Sequence, residues 1–137
     1  MDNTDKKLLL LLEKNARISL KNLSEQLFLS PPAVAARIES LQRLGIIQGY
    51  VTKINKKAMG YNISAIINIT IPPAKKEEFA SYIKNINNVL ECYHVSGPYS
   101  IVLKACFTNT DELNTFVASL QAFGNTLTQV IFSELID

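Results

Sequence analysis

The sequence predicts an α+β protein of two parts, in which three short helices are followed by alternating strands and helices. Apolar residues recur at helical spacing in the first part, and β-branched runs typical of strands begin near residue 63. A polar segment at residues 55–62, which contains a glycine, separates the two patterns and is predicted to be a linker. The predicted domains are therefore residues 1–54 and 63–137. A chain of 137 residues with 47% apolar content can form two small cores.

The first two predicted helices are short and apolar on one side. The first follows Asn3-Thr4-Asp5 and extends to about Lys14, and its stripe consists of Leu8, Leu9, Leu11 and Leu12. The chain then breaks at Asn15-Ala16-Arg17. Ser19 is predicted to cap the second helix, which runs from Leu20 to about Leu27.

The third predicted helix, S-P-P-A-V-A-A-R-I-E-S-L-Q-R-L-G, has a signal at each end. Ser30 can cap the first free amides, Pro31 suits the first helical position, and Gly45 is a natural stop. A solvated helix face would normally carry pairs of Glu and Lys, but this one is small near its start and basic further along. The residues that face outward or lie on the flank are Pro32, Ala33, Ala36, Arg37, Ser40 and Arg43. A face of this kind fits a groove of DNA.

Three helices with a short turn before the third describe a helix-turn-helix domain. The apolar residues between Ile46 and Ile54, interrupted by Gly49, predict a single strand or a strand pair in the position of a wing. The alternative is a three-helix core that binds nothing. The net charge favours the DNA-binding interpretation. Residues 1–57 hold ten Lys and Arg against five Asp and Glu, which gives +5 and suits a polyanionic partner. Residues 58–137 hold four Lys against seven acids, which gives −3.

The second part is predicted to have the order β-α-β-β-α-β, which is the ferredoxin-like arrangement of an antiparallel sheet with both helices on one face. The predicted strands are Ile63–Ile71, Val89–Val95, Tyr99–Phe107 and Thr126–Ile136, and the predicted helices are Lys75–Ile86 and one that begins at Thr110 or Asp111. The strands carry apolar residues on both faces, although helices can cover only one. The uncovered face predicts a two-fold homodimer, whose two DNA-binding domains would bind half-sites about 34 Å apart or a multiple of that distance.

Several other classes of protein are not indicated. No apolar run is long enough to span a bilayer, and Cys92 and Cys106 match no metal-ligand spacing, so we expect a cytoplasmic protein without a metal. The predicted binding to DNA would make it nucleoid-associated. An enzyme is a rival on this type of fold. It is disfavoured because the chain has one histidine, His94, and neither a phosphate loop nor a catalytic set of residues.

The residues resemble those of the leucine-responsive regulatory protein / asparagine-synthase regulator (Lrp/AsnC) family of transcription factors over nearly the whole chain. The resemblance is strongest in S-P-P-A-V-A-A-R-I-x-x-L-x-x-x-G-I-I, from Ser30 to Ile47. It extends to T-D-K-K-L-L-x-x-L at the start, to N-A-R-x-S-x-x-x-L-S from Asn15, and to V-x-G-P-Y-S-I-V-L-K from Val95. It implies a winged or simple helix-turn-helix head, a ligand-sensing domain, and dimers that assemble into octamers or other higher forms.

The resemblance also implies where ligands bind. Duplex DNA would meet the third helix at Ser30, Pro32, Ala33, Ala36, Arg37, Ser40 and Arg43. An amino-acid effector would bind near Gly97, Tyr99, Ser100, Thr126 and Thr128. Family members commonly have Asp at the position of Ser100, and a hydroxyl cannot supply the charge that attracts an α-ammonium group. This departure favours an alternative, an architectural protein that wraps or bridges DNA without a small effector.

Overall fold

The computed structural model describes residues 1–136, and the chain forms two compact units with a boundary between Lys53 and Ile54. The first contains helices α1 (Asn3–Lys14), α2 (Leu20–Leu27) and α3 (Pro31–Arg43). The second contains a four-stranded antiparallel sheet and two helices. The domain limits and the linker at residues 55–62 remain predictions. In the structure that segment holds a short 3₁₀ helix, Lys57–Met59.

The predicted caps of the first unit are present, with one difference at its start. The Ser19 hydroxyl accepts a hydrogen bond from the Asn22 amide at 3.0 Å, and the Ser30 hydroxyl accepts one from the Ala33 amide at 3.3 Å. Helix α1 begins before the predicted position, because Asp2 and Asp5 form a reciprocal capping box. Each of these two carboxylates accepts a hydrogen bond from the other residue's amide, at 2.8 and 3.2 Å.

The core of the first unit is a small aliphatic cluster contributed by all three helices. Its buried members are Leu8, Leu23, Leu27, Val34 and Leu41. Removing each of these side chains from water stabilises the fold by about 1.5–3 kcal/mol. Because Val34 and Leu41 point into this cluster, the opposite side of α3 is held outward.

The predicted strand or strand pair between Ile46 and Ile54 is wrong. The amides of Ile46 and Ile47 fold back to the Leu41 carbonyl, and residues 48–56 form no strand within the described part of the chain. Strand formation needs a hydrogen-bonding partner as well as an apolar sequence. No described strand supplies that partner here, and Val51 is 91% exposed.

The second unit has the predicted β-α-β-β-α-β order. Its elements are β1 (Ile63–Thr70), α4 (Lys76–Ile83), β2 (Val89–His94), β3 (Ile101–Phe107), α5 (Thr110–Gln121) and β4 (Asn125–Val130). The sheet order is β2-β3-β1-β4, with all neighbours antiparallel. A 3₁₀ turn, Pro73–Lys75, precedes α4, which is shorter than predicted.

The last strand ends earlier than predicted, because its ladder partner ends. The Ile131 amide donates a hydrogen bond to the Ser64 carbonyl at 2.9 Å, next to the first residue of β1. Beyond this point β1 offers no further partner. The residues that follow form no strand, and Phe132, Leu135 and Ile136 are 98%, 95% and 89% exposed, although Glu134 forms an ion pair with Lys104 at 3.3 Å.

The two faces of the sheet differ in cover, as the alternation of residues predicts. One face packs on α4 and α5 around a core of Ala65, Ile67, Ile69, Ile71, Phe79, Ile101, Leu103, Ala105, Phe107, Leu113, Phe116 and Leu120. The register places Ile66, Val102 and Leu127 on the other face, where Leu127 is 44% exposed. No described helix lies over that face. Burial raises the pKa of both cysteine thiols, Cys92 and Cys106, which are free.

Candidate functional site

The outward face of α3 is small and largely open to solvent. Ser30, Pro32, Ala36 and Arg43 are exposed, while Ala33 and Ser40 are partly buried. The pattern follows from the burial of Val34 and Leu41, which fixes the rotation of the helix about its axis. Six of the seven residues predicted to meet DNA therefore share one accessible surface, and Arg37 lies on its flank.

The N-terminal end of α3 is poor in hydrogen-bond donors. A helix usually begins with free amide groups that can bind an anion. Here Pro31 and Pro32 have no N–H, and the Ala33 amide already donates to the Ser30 hydroxyl. The Val34 amide donates to the Ser30 carbonyl at 3.1 Å. This end of the helix can therefore touch a partner through apolar surface but offers it no free amide.

Arg37 is engaged within the first unit. Its Nη1 atom donates to Asp2 at 2.8 Å and to Asp5 at 3.0 Å, and its side chain is 31% exposed. The hydrogen bond from Arg37 holds the pKa of the Asp2 carboxyl below its usual value of 3.8. All three hydrogen bonds use Nη1, so they leave Nε and Nη2 unused. A contact of Arg37 with DNA remains a prediction, beside the structural role that these ion pairs give it.

Arg43 has no carboxylate within ion-pairing distance among the described residues. The same holds for four other basic side chains within residues 1–57, which are Lys21, Lys53, Lys56 and Lys57. Lys56 does have a local partner, because its Nζ atom lies 5.9 Å from the centroid of the Tyr61 ring. The exposed Arg43 guanidinium extends the surface of α3 with positive charge.

Phe28 is an unusual feature of the turn before α3. Its backbone lies in the left-handed region, at φ 55° and ψ 43°, and no other non-glycine residue of residues 1–136 has a positive φ. The amides of Phe28 and Leu29 both donate to the Ser24 carbonyl, which is a helix end that favours glycine. A side chain in this conformation costs about 1–2 kcal/mol. Sequence analysis predicted a short turn before α3 but did not single out Phe28, although a bulky aromatic residue in that turn was a signal in the sequence.

Ser100 and the Gly97 turn lie beside the end of β1. Gly97, at φ 107°, turns the chain so that the Val95 amide donates to the Ser100 carbonyl at 2.8 Å. The Ser100 hydroxyl accepts from the Ile71 amide at 3.1 Å and donates to the Ile69 carbonyl at 3.4 Å. The hydroxyl thus bridges the turn to β1 and uses its own hydrogen in doing so.

The two threonines approach the same strand from its other side. Thr126 pairs with Ile69 and Thr128 pairs with Ile67, and both are half-buried. The structure therefore brings Ser100 and Thr126 to opposite sides of Ile69. Tyr99 is also half-buried, and Gly97 is exposed.

Gly124 also contacts the end of β1, and sequence analysis missed it. A β carbon on Gly124 would lie 1.8 Å from the Thr70 carbonyl oxygen, which is far inside van der Waals contact. Thr70 in turn donates from its hydroxyl to the Pro98 carbonyl at 3.1 Å. The turn between α5 and β4 therefore packs directly on the strand end that Ser100 bridges.

Other features of the described residues do not indicate a metal centre or a membrane segment. No group of His, Cys, Asp and Glu among them could hold a metal ion. None of their helices is both long and apolar enough to cross a bilayer. His94 is exposed, with its Nδ1 atom 3.4 Å from the Lys76 ammonium. A groove of about 550 Å³ lies beside α4 and α5 and includes Tyr82, whose hydroxyl donates to Ser119.

Two family models together match most of the chain. The winged helix-turn-helix DNA-binding domain matches residues 1–48. The Lrp/AsnC ligand-binding domain matches residues 64–137. The two matches coincide with the two units, so the α3 surface lies within the first and the end of β1 within the second.

Known proteins resemble the chain over almost its full length. The regulator LrpC of Bacillus subtilis is 32% identical over 98% of this chain and 94% of its own length, and its structure superposes with a TM-score of 0.94. The FL11 regulator of Pyrococcus furiosus is 31% identical over 96% of this chain and 89% of its own. The complex of a Neisseria meningitidis transcriptional regulator with L-methionine has a TM-score of 0.95 at 25% identity, over 100% of this chain and 93% of that one. The chain therefore belongs to the Lrp/AsnC family and is a DNA-binding transcriptional regulator of the helix-turn-helix type.

Proposed function

We propose that this regulator binds duplex DNA through the outward face of α3. The contact residues are Ser30, Pro32, Ala33, Ala36, Ser40 and Arg43, with Arg37 at the edge. The observation that carries this proposal is the shape of that face, which is free of large side chains over its first two turns. A helix without bulky outward groups can approach the base edges of the major groove closely.

The chemistry of this face favours recognition by shape over a dense code of base contacts. Pro32, Ala33 and Ala36 have no side-chain donor or acceptor. Arg43 supplies a guanidinium that can bind phosphate or a guanine edge. Arg37 acts mainly by tying α3 to the start of α1, and its Nε and Nη2 groups supply a second basic contact. Specificity then depends strongly on how readily the DNA bends.

We further propose that two copies of the chain pair through the open face of the sheet. The apolar side chains that would be buried there include Ile66, Val102 and Leu127. Such a surface is unfavourable in water and self-complementary about a two-fold axis. Octamers and other higher forms, which the family resemblance implies, would place more than two helix-turn-helix domains along one DNA duplex.

An amino-acid effector is proposed at the end of β1. The proposed contact residues are Gly97, Tyr99, Ser100, Thr126 and Thr128; support comes from Ser100 and Thr126, which both adjoin Ile69, and from the Neisseria relative, which was solved with L-methionine. The hydroxyl hydrogen of Ser100 is already donated within the chain. The effector would therefore depend on backbone groups of the Gly97 turn and on the threonines.

A second candidate function is architectural, in which the protein wraps or bridges DNA without an effector. Ser100 favours it, because this position holds a hydroxyl bonded within the chain and no carboxylate that would attract an ammonium group. The relatives named above are regulators of transcription, and we propose no catalytic activity for this chain.

The DNA proposal is tested with the full-length protein and a labelled duplex, by fluorescence anisotropy at several salt concentrations. Arg43→Ala should weaken binding and lower the salt slope by about 0.9 for each phosphate that is no longer neutralised. Arg17→Ala, at an exposed position between α1 and α2, is the matched control and should change little. Equal reductions of affinity in the two variants would contradict the assignment of the α3 face.

The effector proposal is tested by light scattering with each of the twenty amino acids. A discrete particle whose mass changes when one amino acid is added supports a regulator whose assembly responds to that amino acid. A particle that is unaffected by all twenty supports the architectural function, and a monomer contradicts the proposed dimer.

A further inference from the structure

We propose that Phe28 is a specificity-determining contact to DNA, and that it packs its ring against thymine methyl groups beside the start of α3. This inference rests on the proposed binding of DNA by α3. It assigns base preference to a residue in the turn, outside the helix that carries the other contacts.

The first step is that Phe28 is not explained by the fold. Its side chain is 92% exposed, although its neighbours in sequence, Leu27 and Leu29, are buried and half-buried. Those two neighbours already anchor the turn on the core of the first unit. The positive φ of 55° is a conformation that glycine adopts freely and that bulky residues avoid. A residue that strains the backbone and packs on nothing indicates a role outside the unit.

The second step is the position of Phe28. It precedes Ser30, the cap of α3, by two residues. The N-terminal end of a recognition helix is the part that reaches base edges in helix-turn-helix complexes. A ring in this turn therefore lies close in sequence to the residues that meet the groove.

The third step is the chemistry of the surrounding surface. The start of α3 offers no free amide to a phosphate, because Pro31 and Pro32 lack N–H and the Ala33 amide is capped. What it offers is apolar surface, and Phe28 in the preceding turn is a further exposed apolar side chain. In the major groove, the apolar group of a base edge is the thymine methyl, which Phe can contact. Exposed cations such as Lys21 and Arg43 in the same unit favour DNA as the partner over another protein.

The first experiment separates the structural cost of Phe28 from its function. Phe28→Gly in the full chain should raise the Tm of the first unit by roughly 5 °C, because strain is removed. The same variant should bind an A·T-rich 40-base-pair duplex about tenfold more weakly for each half-site in which the apolar ring is no longer buried. Leu10→Ala, at another exposed apolar residue of this unit, is the control and should leave affinity unchanged.

The second experiment identifies the contacted group. Replacing every thymine of the duplex by deoxyuridine removes the methyl groups and keeps the base pairs. Wild-type affinity should fall about fourfold for each methyl group that the Phe28 ring covers, while Phe28→Gly should bind both duplexes equally.

The outcomes distinguish this inference from the function it rests on. If the wild-type protein fails to bind any duplex, the proposed DNA binding fails. If it binds and Phe28→Gly binds equally well, only the role of Phe28 is overturned. If the variant binds more weakly but remains as sensitive to deoxyuridine as the wild type, the contact with thymine methyl groups is overturned. Unchanged DNA affinity together with an abolished interaction with another protein would assign Phe28 to that partner and also overturn the inference.

Discussion

The two predicted binding regions, the outward face of α3 and the end of β1, differ in how many of their groups already make contacts within the chain. On the outward face of α3, small side chains and the exposed Arg43 make few contacts within the unit. At the end of β1, the Ser100 and Thr70 hydroxyls and the Gly124 backbone are all occupied by neighbouring groups. The first region can meet DNA without breaking internal bonds. In the second, a ligand that used the Ser100 or Thr70 hydroxyl would have to replace hydrogen bonds within the chain, and binding of that kind would alter the end of β1.

The largest expected change in stability is at the end of β1. Gly124→Ala should destabilise the second unit by about 3 kcal/mol or more, because the new β carbon would overlap the Thr70 carbonyl oxygen. Urea unfolding followed by circular dichroism measures this change. Gly49→Ala is the control, since nothing lies within 4 Å of its β carbon position. Equal stabilities of the two variants would show that the end of β1 is loosely packed.

A smaller effect is expected from the hydroxyl that bridges the turn to β1. Ser100→Ala should cost about 1–2 kcal/mol, because the Ile71 amide loses its acceptor. Ser100→Asp keeps an acceptor and adds a negative charge. If this region is the effector site, the Asp variant should bind a free amino acid more tightly than the wild type, as measured by isothermal titration calorimetry. A variant with no increase in affinity for any amino acid would argue that the site lies elsewhere.

A third prediction concerns the loss of stability at low pH, which can be compared between the two units. The pKa of Asp2 is lowered by its hydrogen bond from Arg37, and the pKa of Glu112 is lowered by hydrogen bonds from Thr108. Each carboxylate therefore contributes stability above its ordinary pKa, 3.8 or 4.5, which is lost as the pH falls through the lower folded value.

The acid prediction is checked by measuring unfolding between about pH 5 and pH 2. Arg37→Leu should reduce the pH dependence of the first unit, and Thr108→Val should reduce that of the second. Because Arg37 also lies beside the DNA face, its variant is expected to lose both stability and affinity. A loss of affinity at unchanged stability would instead mean that Arg37 acts mainly on DNA.

The smallest expected change in stability is at Arg43. Arg43→Ala should unfold at nearly the same urea concentration as the wild type, since no ion pair is removed. Its effect on DNA affinity, described above, should then be separable from folding. A marked loss of stability would mean that the α3 face is more involved in the fold than the structure indicates.

Features with local causes were predicted well from the sequence. Ser19 and Ser30 cap their helices as expected, and the alternation of apolar residues predicted the covered and open faces of the sheet. The helix-turn-helix and the order of the second unit follow from signals within a few residues of each element.

Features that depend on distant partners were not predicted. Arg37 pairs with Asp2 and Asp5, more than 30 positions away, and no local pattern marks such a contact. The apolar residues around Val51 resemble a strand in composition, but a strand also needs a ladder partner. The close approach of Gly124 to Thr70 joins segments whose distance is set by the completed sheet. The contacts of individual residues with DNA and with an effector remain predictions.

The exposed apolar residues after β4 have a consequence for the rate at which this protein is degraded in a cell. Phe132, Leu135 and Ile136 lie almost fully in solvent in the single chain, directly after the last strand of the sheet. Apolar groups of this kind promote aggregation and attract chaperones and proteases. If assembly covers them, a newly made subunit that finds no partner would be the species that is degraded. Turnover would then remove surplus single subunits and keep the concentration of assembled regulator close to constant.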